Sequence, residues 1–383
     1  MDRFAHIRPY QDQEVNAVLN TVIRDKKFLD VITQLQFQNL PVWCKPLLHW
    51  GLKSRLKRQV RKLHTVRDFQ QLFESYLNRI LTDSTDSFMV SGLDTLASHQ
   101  PYLYLSNHRD IALDPALVNL ALHWQGRDTV RIAIGDNLLT EDFISKLMRL
   151  NKSFIVKRSV TKPRELLKEL KLLSEYIHES LAQKQSVWLA QREGRAKDGI
   201  DATDSAIIKM LCIANKKQPL ADIIRELNIV PVAISYEYDP CDALKASELH
   251  AIETKGAYQK QDGEDIRSIA QGITGYKGKV YLRFGHTLDG DFETIDDVVS
   301  TLDQAIASLF VLQPSHYFAY EHLFGEYPDG GVYGPDDRVF DPSDFVKERA
   351  VFDERLENIE SAHRPYVLRA YANPLLRKRE LGN

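Results

Sequence analysis

The sequence has no run approaching the ~20 consecutive apolar residues of a membrane-spanning helix, so no spanning segment is expected. Its start, "MDRFAHIRPYQDQEV", lacks the basic opening and apolar core of a secretion signal, and a cytoplasmic protein is the expectation. Cysteine is scarce. Cys44, Cys212 and Cys241 stand far apart, with no CxxC pair and no even-numbered disulfide framework. Cys212, within "IIKMLCIAN", reads as a buried structural thiol. The 12 histidines are scattered, with no HExxH and no Cys/His cluster, so neither a metal site nor a bound cofactor is expected. Acid is missing locally. No Asp or Glu lies between Asp30 and Asp68, an interval that holds "WCKPLLHWGLKSRLKRQVRKLHTVR" in a chain of net charge -3.

What is present divides by texture. Residues 10–82 carry helical spacing, as in Val15, Val18, Leu19 and Ile23, and again in Phe69, Leu72, Phe73, Tyr76, Leu77 and Ile80. "TDSTDS" (82–87) breaks that pattern and reads as a linker. From about residue 88, short apolar runs alternate with helical ones. "PYLYLS" (101–106), "VRIAIG" (130–135), "SFIVKR" (153–158), "SVWLA" (186–190) and "NIVPVAISYEY" (228–238) read as strands, and "KVYLRFG" (279–285) as a later one. The expected fold class is α/β, a mixed and largely parallel sheet flanked by helices, preceded by a smaller N-terminal helical domain. The expected domains are 1–87 (helical), 88–315 (α/β) and 316–383, a helical or irregular extension containing the turn-rich "GEYPDGGVYGPDDRVFDPSD".

"HRD" at 108–110 matches the start of a kinase catalytic loop, H-R-D-L-x-x-x-N, whose asparagine would fall where Pro115 stands. There is no glycine-rich phosphate loop upstream, and "DFE" (291–293) stands for D-F-G, so a kinase is set aside.

The ends of the expected strands are more informative. "YLYLSNHRDIALD" puts His108 and Arg109 just past one strand, and "FIVKRS" puts Lys157 and Arg158 at another. "VWLAQREGRAKDG" puts Glu193, Gly194 and Arg195 past a third, and "IVPVAI" carries Pro231 in a fourth. Ligands of α/β sheets bind outside the carboxyl ends of the strands. Three such ends carry cations and the first an imidazole, which suits an anionic substrate and a proton transfer.

In this order the four segments resemble the motifs of the glycerolipid acyltransferases, which include the glycerol-3-phosphate and 1-acylglycerol-3-phosphate acyltransferases. That family's motifs are N-H-x4-D, F-I-x-R, E-G-x-R and a proline after an apolar pair. Here they read "NHRDIALD", "FIVKRS", "REGRAKDG" and "IVPVAI" across residues 107–234. Two departures stand out. Leu113 occupies the position of the family's aspartate, leaving Asp110 and Asp114 as candidates, of which Asp114 is preferred because Pro115 and the run after it mark a helix start. "REGR" lacks the usual proline and threonine, with Arg192 and Arg195 bracketing Glu193 and Gly194.

The resemblance implies transfer of a fatty acyl group from acyl-CoA or acyl carrier protein to a hydroxyl of glycerol-3-phosphate or its 1-acyl derivative, as in phospholipid biosynthesis. His108 would be the general base, without an acyl-enzyme, and Asp114 (or Asp110) would fix its tautomer. Arg109, Lys157, Arg158, Glu193, Gly194 and Arg195 would form the phosphate and acceptor site, with the arginines offering planar forks. The thioester is a co-substrate, and nucleic acid is not an expected partner. Two other classes stay open: an acyltransferase or hydrolase using a non-phosphorylated acceptor, and a catalytically silent lipid- or partner-binding homologue.

The basic segment 43–67 interleaves cations with Trp43, Trp50, Leu47, Leu48, Leu52, Leu56, Val60 and Leu63. Such a helix suits an anionic membrane surface on the cytoplasmic face, or an acidic acyl carrier protein.

Overall fold

The computed structural model describes residues 2–36, 45–139, 141–261 and 263–382; the side chains at 34–36 and 45–48 lie outside that description. Seven strands carry the α/β architecture: β1 (Ser87–Ser91), β2 (Leu103–Ser106), β3 (Arg131–Gly135), β4 (Ser153–Val156), β5 (Val187–Ala190), β6 (Ile229–Tyr236) and β7 (Lys279–Phe284). A short antiparallel pair, β8 (Val332–Tyr333) and β9 (Arg338–Val339), lies within the turn-rich segment.

Helices intervene throughout. They are α1 (Asp12–Val22), α2 (Lys26–Gln36), α3 (Lys45–Val60), α4 (Val66–Ser84), α5 (Leu113–Trp124), α6 (Asp142–Leu150) and α7 (Pro163–Ala182). Then come α8 (Ser205–Cys212), α9 (Leu220–Leu227), α10 (Asp242–Lys255), α11 (Glu264–Thr274), α12 (Ile295–Leu309), α13 (Pro314–Phe324), α14 (Val346–Glu357) and α15 (Arg364–Glu380).

The chain divides into two compact units. One holds Met1–Asn78 and Val130–Leu173, the other Arg79–Thr129 and Ser174–Asn383. The first unit joins the N-terminal helices to the parallel pair β3–β4, in register Ala133↔Phe154. Its N-terminal stretch extends that pairing: the Ile155 N–H donates to the Ile7 carbonyl at 2.9 Å, satisfying backbone at a strand edge.

The second unit orders its strands β1-β7-β6-β2-β5. β2 is parallel to both β5 and β6, β1 is parallel to β7, and β6–β7 is antiparallel. All eight residues of β6 and all four of β2 are buried. Strands covered on both faces read as unbroken apolar runs, which is why these two are plain in the sequence. Pro231 cannot donate to a ladder. It lies just outside the β6–β7 pairing, which begins at Val232↔Phe284.

Local chemistry departs from the sequence reading in two places. The linker expected at 82–87 is instead the end of α4 and the start of β1. Cys212 is half-buried, and Cys241 is the buried thiol; Cys44 lies outside the described residues. The C-terminal helix α15 contains Pro374. A proline there has no N–H for the Ala370 carbonyl. Gly199 approaches that carbonyl so closely that a Cβ would sit 2.0 Å from it, and φ +79° at Gly199 itself favours glycine.

Candidate active site

Because β2, β5 and β6 are parallel, their carboxyl ends share one edge, and the loops leaving them meet there. The Gln191 N–H donates to the Ser106 carbonyl at 2.8 Å, and the Ala196 N–H to the His108 carbonyl at 2.8 Å. Asn107 closes the gap to β6 with its side chain, donating to the Ile234 carbonyl (3.0 Å) and accepting the Ile234 N–H (2.8 Å). A buried primary amide thus continues the ladder where the strand ends.

His108 follows directly. Its Nδ1 lies 2.8 Å from Asp114 Oδ2. Facing a carboxylate acceptor, Nδ1 carries the proton and Nε2 is left as the acceptor. The ring meets Trp188 edge-on at 5.7 Å between centroids, and Trp188 is itself held by a bond from Nε1 to Ser106 Oγ of 3.0 Å. Asp114 sits in the first turn of α5 and is fully buried. Its Oδ2 also accepts the Arg109 and Asp110 N–H groups at 2.6 and 2.9 Å, and its Oδ1 accepts the Tyr236 hydroxyl at 2.8 Å.

The choice left open in the sequence is therefore resolved geometrically: Asp114 faces His108. Asp110 serves the helix start, its Oδ1 accepting the Ala112 and Leu113 N–H groups at 2.9 and 2.7 Å. Burial, and then the neighbouring Asp114 charge, raise the Asp110 pKa.

Arg109, expected in the phosphate site, is engaged within the protein. Its guanidinium turns inward, donating to Asp201 Oδ2 at 2.6 Å and lying over the Phe310 ring at 5.4 Å. Burial raises the Asp201 pKa against the pull of Arg109. Beside it, the Lys245 ammonium donates to the Arg109 carbonyl at 2.7 Å and pairs with Asp239. Burial pushes Asp239 upward, but Lys245 outweighs it and holds that carboxyl below its usual range. Asp242 is anchored by Arg355 of α14 at 2.6 Å, and Tyr371 of α15 accepts the Asp239 N–H at 2.8 Å. A pocket of about 40 Å³ opens here against Arg109, Tyr236, Lys245 and His316, room for water and too small for an acyl chain. Burial drives the His316 pKa down to about 3, so this second imidazole near the site stays neutral.

Of the third motif, Glu193 and Gly194 are exposed, and Gly194 has φ +77°. Arg195 is half-buried and donates to Ser268 Oγ of α11 at 2.8 Å. His108, Arg109, Asp110, Asp114, Glu193, Gly194 and Arg195 all belong to the second compact unit. Lys157 and Arg158 belong to the first. There the Arg158 N–H donates to Asp136 Oδ1 at 3.0 Å, and the Arg158 side chain packs where a Cβ on Gly135 would sit 2.8 Å from Nε. Among the described residues no group of His, Cys, Asp and Glu could hold a metal ion.

Sequence reasoning missed Tyr236, Asp201, Lys245 and Trp188. Each is a strand, loop or helix residue whose partner is remote in sequence, and no motif marks it.

Comparison with known proteins accords with this geometry. Residues 87–235 match the family model described as Acyltransferase. None of the curated proteins matches the chain. Among solved structures, the 1-acyl-sn-glycerophosphate (LPA) acyltransferase PlsC from Thermotoga maritima is 13% identical, with 77% of this chain and 96% of that one covered, at a TM-score of 0.37. The signal recognition particle receptor FtsY from Elizabethkingia anophelis, in complex with GDP, is 10% identical, with 75% and 89% covered, at a TM-score of 0.22. Both likenesses are too distant to carry an argument. The family match stands on the segment, residues 87–235, that contains the His108–Asp114 pair and the strands that present it.

Proposed function

We propose that the chain transfers a fatty acyl group from a thioester, acyl-CoA or acyl carrier protein, to a hydroxyl of glycerol-3-phosphate or 1-acylglycerol-3-phosphate. The observation that carries this reading is the 2.8 Å contact between His108 Nδ1 and the buried Asp114, inside the segment that matches the Acyltransferase family model. It leaves Nε2 to take the proton from an alcohol as that oxygen attacks the thioester carbonyl. The tetrahedral intermediate then expels thiolate, and the imidazolium returns the proton to the departing sulfur. A general base of this kind typically contributes ~10²–10⁴ in rate. Asp114 stabilises the imidazolium that forms and keeps the ring oriented. No enzyme nucleophile is needed, because both substrates react directly.

The acceptor phosphate falls to Arg195 in this reading, with Glu193 and Gly194 shaping the loop. The reaction belongs to the 88–315 region in this reading, with 316–383 buttressing it through Arg355 and Tyr371. One observation favours a non-phosphorylated acceptor instead: Arg109 and Arg195 already have partners in Asp201 and Ser268. The acceptor panel that decides between them uses purified protein with acyl-CoA, comparing glycerol-3-phosphate and 1-acylglycerol-3-phosphate with glycerol and a monoacylglycerol. Faster thiol release with the phosphorylated pair supports the first reading. Equal rates with all four, unchanged by Arg195→Ala, replace it with the second.

The partner surface belongs to the basic segment. No helix among the described residues is long and apolar enough to cross a membrane. On α3, Leu52 and Val60 are buried while Lys53, Arg55, Lys57 and Arg58 are exposed, followed by exposed Arg61, Lys62 and Arg67. Trp50 is 76% exposed on the same helix. Trp43 lies outside the described residues, as do the side chains of Leu47 and Leu48. An exposed indole among unopposed cations suits the anionic headgroup layer where a lipid acceptor would be collected.

A further inference from the structure

We propose that Tyr236 is a positioning residue for acyl transfer: its hydroxyl locks Asp114, and through Asp114 the ring of His108, in the orientation the base requires. This inference rests on His108 being that base. The four donors to Asp114 divide unequally. Oδ2 receives His108 Nδ1, the Arg109 N–H and the Asp110 N–H, while the donor found on Oδ1 is the Tyr236 hydroxyl at 2.8 Å. All three groups on Oδ2 come from the loop that carries His108. Tyr236 comes from the end of β6, a strand buried along its whole length, and is itself 8% exposed. It therefore ties the loop side of the site to the sheet, and it supplies the restraint that stops the carboxylate from rotating about its own C–C bond.

The hydroxyl can serve in this way because it stays protonated. Burial raises its pKa well above the ordinary phenol value, and the charges of Asp114 and Asp110 raise it further. A donor on Oδ1 also sets how strongly Oδ2 attracts the proton on Nδ1. Removing it concentrates charge on the carboxylate and makes protonated His108 easier to form. The other charges around the pair are internally matched: Arg109 with Asp201, and Lys245 with Asp239. Asp110 is the remaining neighbour, turned towards the α5 amides.

The test is a pH profile of kcat/KM for Tyr236→Phe and for the full-length protein carrying 3-fluorotyrosine at 236, whose hydroxyl is a stronger donor. Tyr236→Phe should lower kcat about tenfold, as expected for one lost bond to a charged group, with KM for donor and acceptor within about twofold. Its acid limb should move to higher pH, and that of the fluorotyrosine protein to lower pH. A packing role alone would move neither limb. Wild-type kcat with an unmoved limb in Tyr236→Phe, or unmoved limbs in both proteins, overturns the inference. If Tyr236→Phe fails to fold, the fluorotyrosine protein carries the test, because its shape is nearly unchanged. His108→Ala, assayed alongside, separates the two claims. Full activity in that variant removes the base itself, whereas an inactive His108→Ala with wild-type behaviour at 236 removes the role of Tyr236 alone.

Discussion

Arg109 and Asp201 form an ion pair of 2.6 Å in which the side chains are only 11% and 12% exposed. The arginine next to His108 is thus held by a partner within the protein. Breaking a buried pair by removing one partner costs about 3–5 kcal/mol. Arg109→Ala should melt well below the wild type, while its folded fraction keeps the KM for a phosphorylated acceptor. An unchanged melting temperature with a selective rise in that KM would mean the guanidinium binds substrate.

The two carboxylates of the first motif should separate cleanly. Asp114→Asn forces an amide against Nδ1 and should lose about 10²–10⁴ in kcat. Asp110→Asn retains an acceptor for the α5 amides and should cost about 1 kcal/mol or less in stability, with activity within a few-fold. Equal losses of activity in both would show that the imidazole does not depend on Asp114 in particular.

Gly272 of α11 lies against this loop. A Cβ there would lie 1.9 Å from Asp110 Oδ2. Gly272→Ala should therefore destabilise by about 1–3 kcal/mol through overpacking, read by denaturant titration. An Ala variant as stable as the wild type would place α11 further from the loop.

Lys277 is fully buried, with Nζ donating to Ser84 Oγ at 2.9 Å and to the Ile273 and Gly275 carbonyls at 3.0 and 2.6 Å. Burial lowers its pKa to about 8, against a partial counter-pull from Asp110. The folded value lies below the unfolded value near 10.5, so the unfolded chain binds more protons between them. This lysine's contribution is fully present above pH ~10.5 and is lost as pH falls to about 8. Comparing melting temperatures of wild type and Lys277→Met across that window should show the wild-type curve rising relative to the variant. Parallel curves would show that the lysine is not desolvated.

The basic face of α3 predicts salt-sensitive binding to vesicles containing phosphatidylglycerol. Each surface cation is worth about 1 kcal/mol near an anionic leaflet. The triple variant Arg55→Glu, Arg58→Glu, Lys62→Glu should lose sedimentation with these vesicles, and pure phosphatidylcholine should not bind the wild type. Capture by neutral vesicles, or by acidic acyl carrier protein in place of vesicles, would redirect the assignment.

How far the sequence reaches is clear from individual residues. β2 and β6 are legible because burial on both faces leaves unbroken apolar runs, and Asp114 because Pro115 marks a helix start. β1 is not: "SFMVS" is half-exposed and adjoins a polar tract that looks like a loop. Charge is visible in a sequence but its direction is not, so Arg109 reads as a ligand although its carboxylate partner lies 92 residues away. Tyr236 reads as an ordinary strand residue, because its role exists only once β6 stands beside the loop after β2.

The central claim is that His108 is the base of a thioester-dependent acyl transfer. Thiol release from acyl-CoA, measured with and without glycerol-3-phosphate or its 1-acyl derivative, tests it most directly when wild type and His108→Ala are compared at equal folded concentration. The account predicts acceptor-dependent release that falls by at least about 10² in the variant. Equal release from both proteins would contradict it.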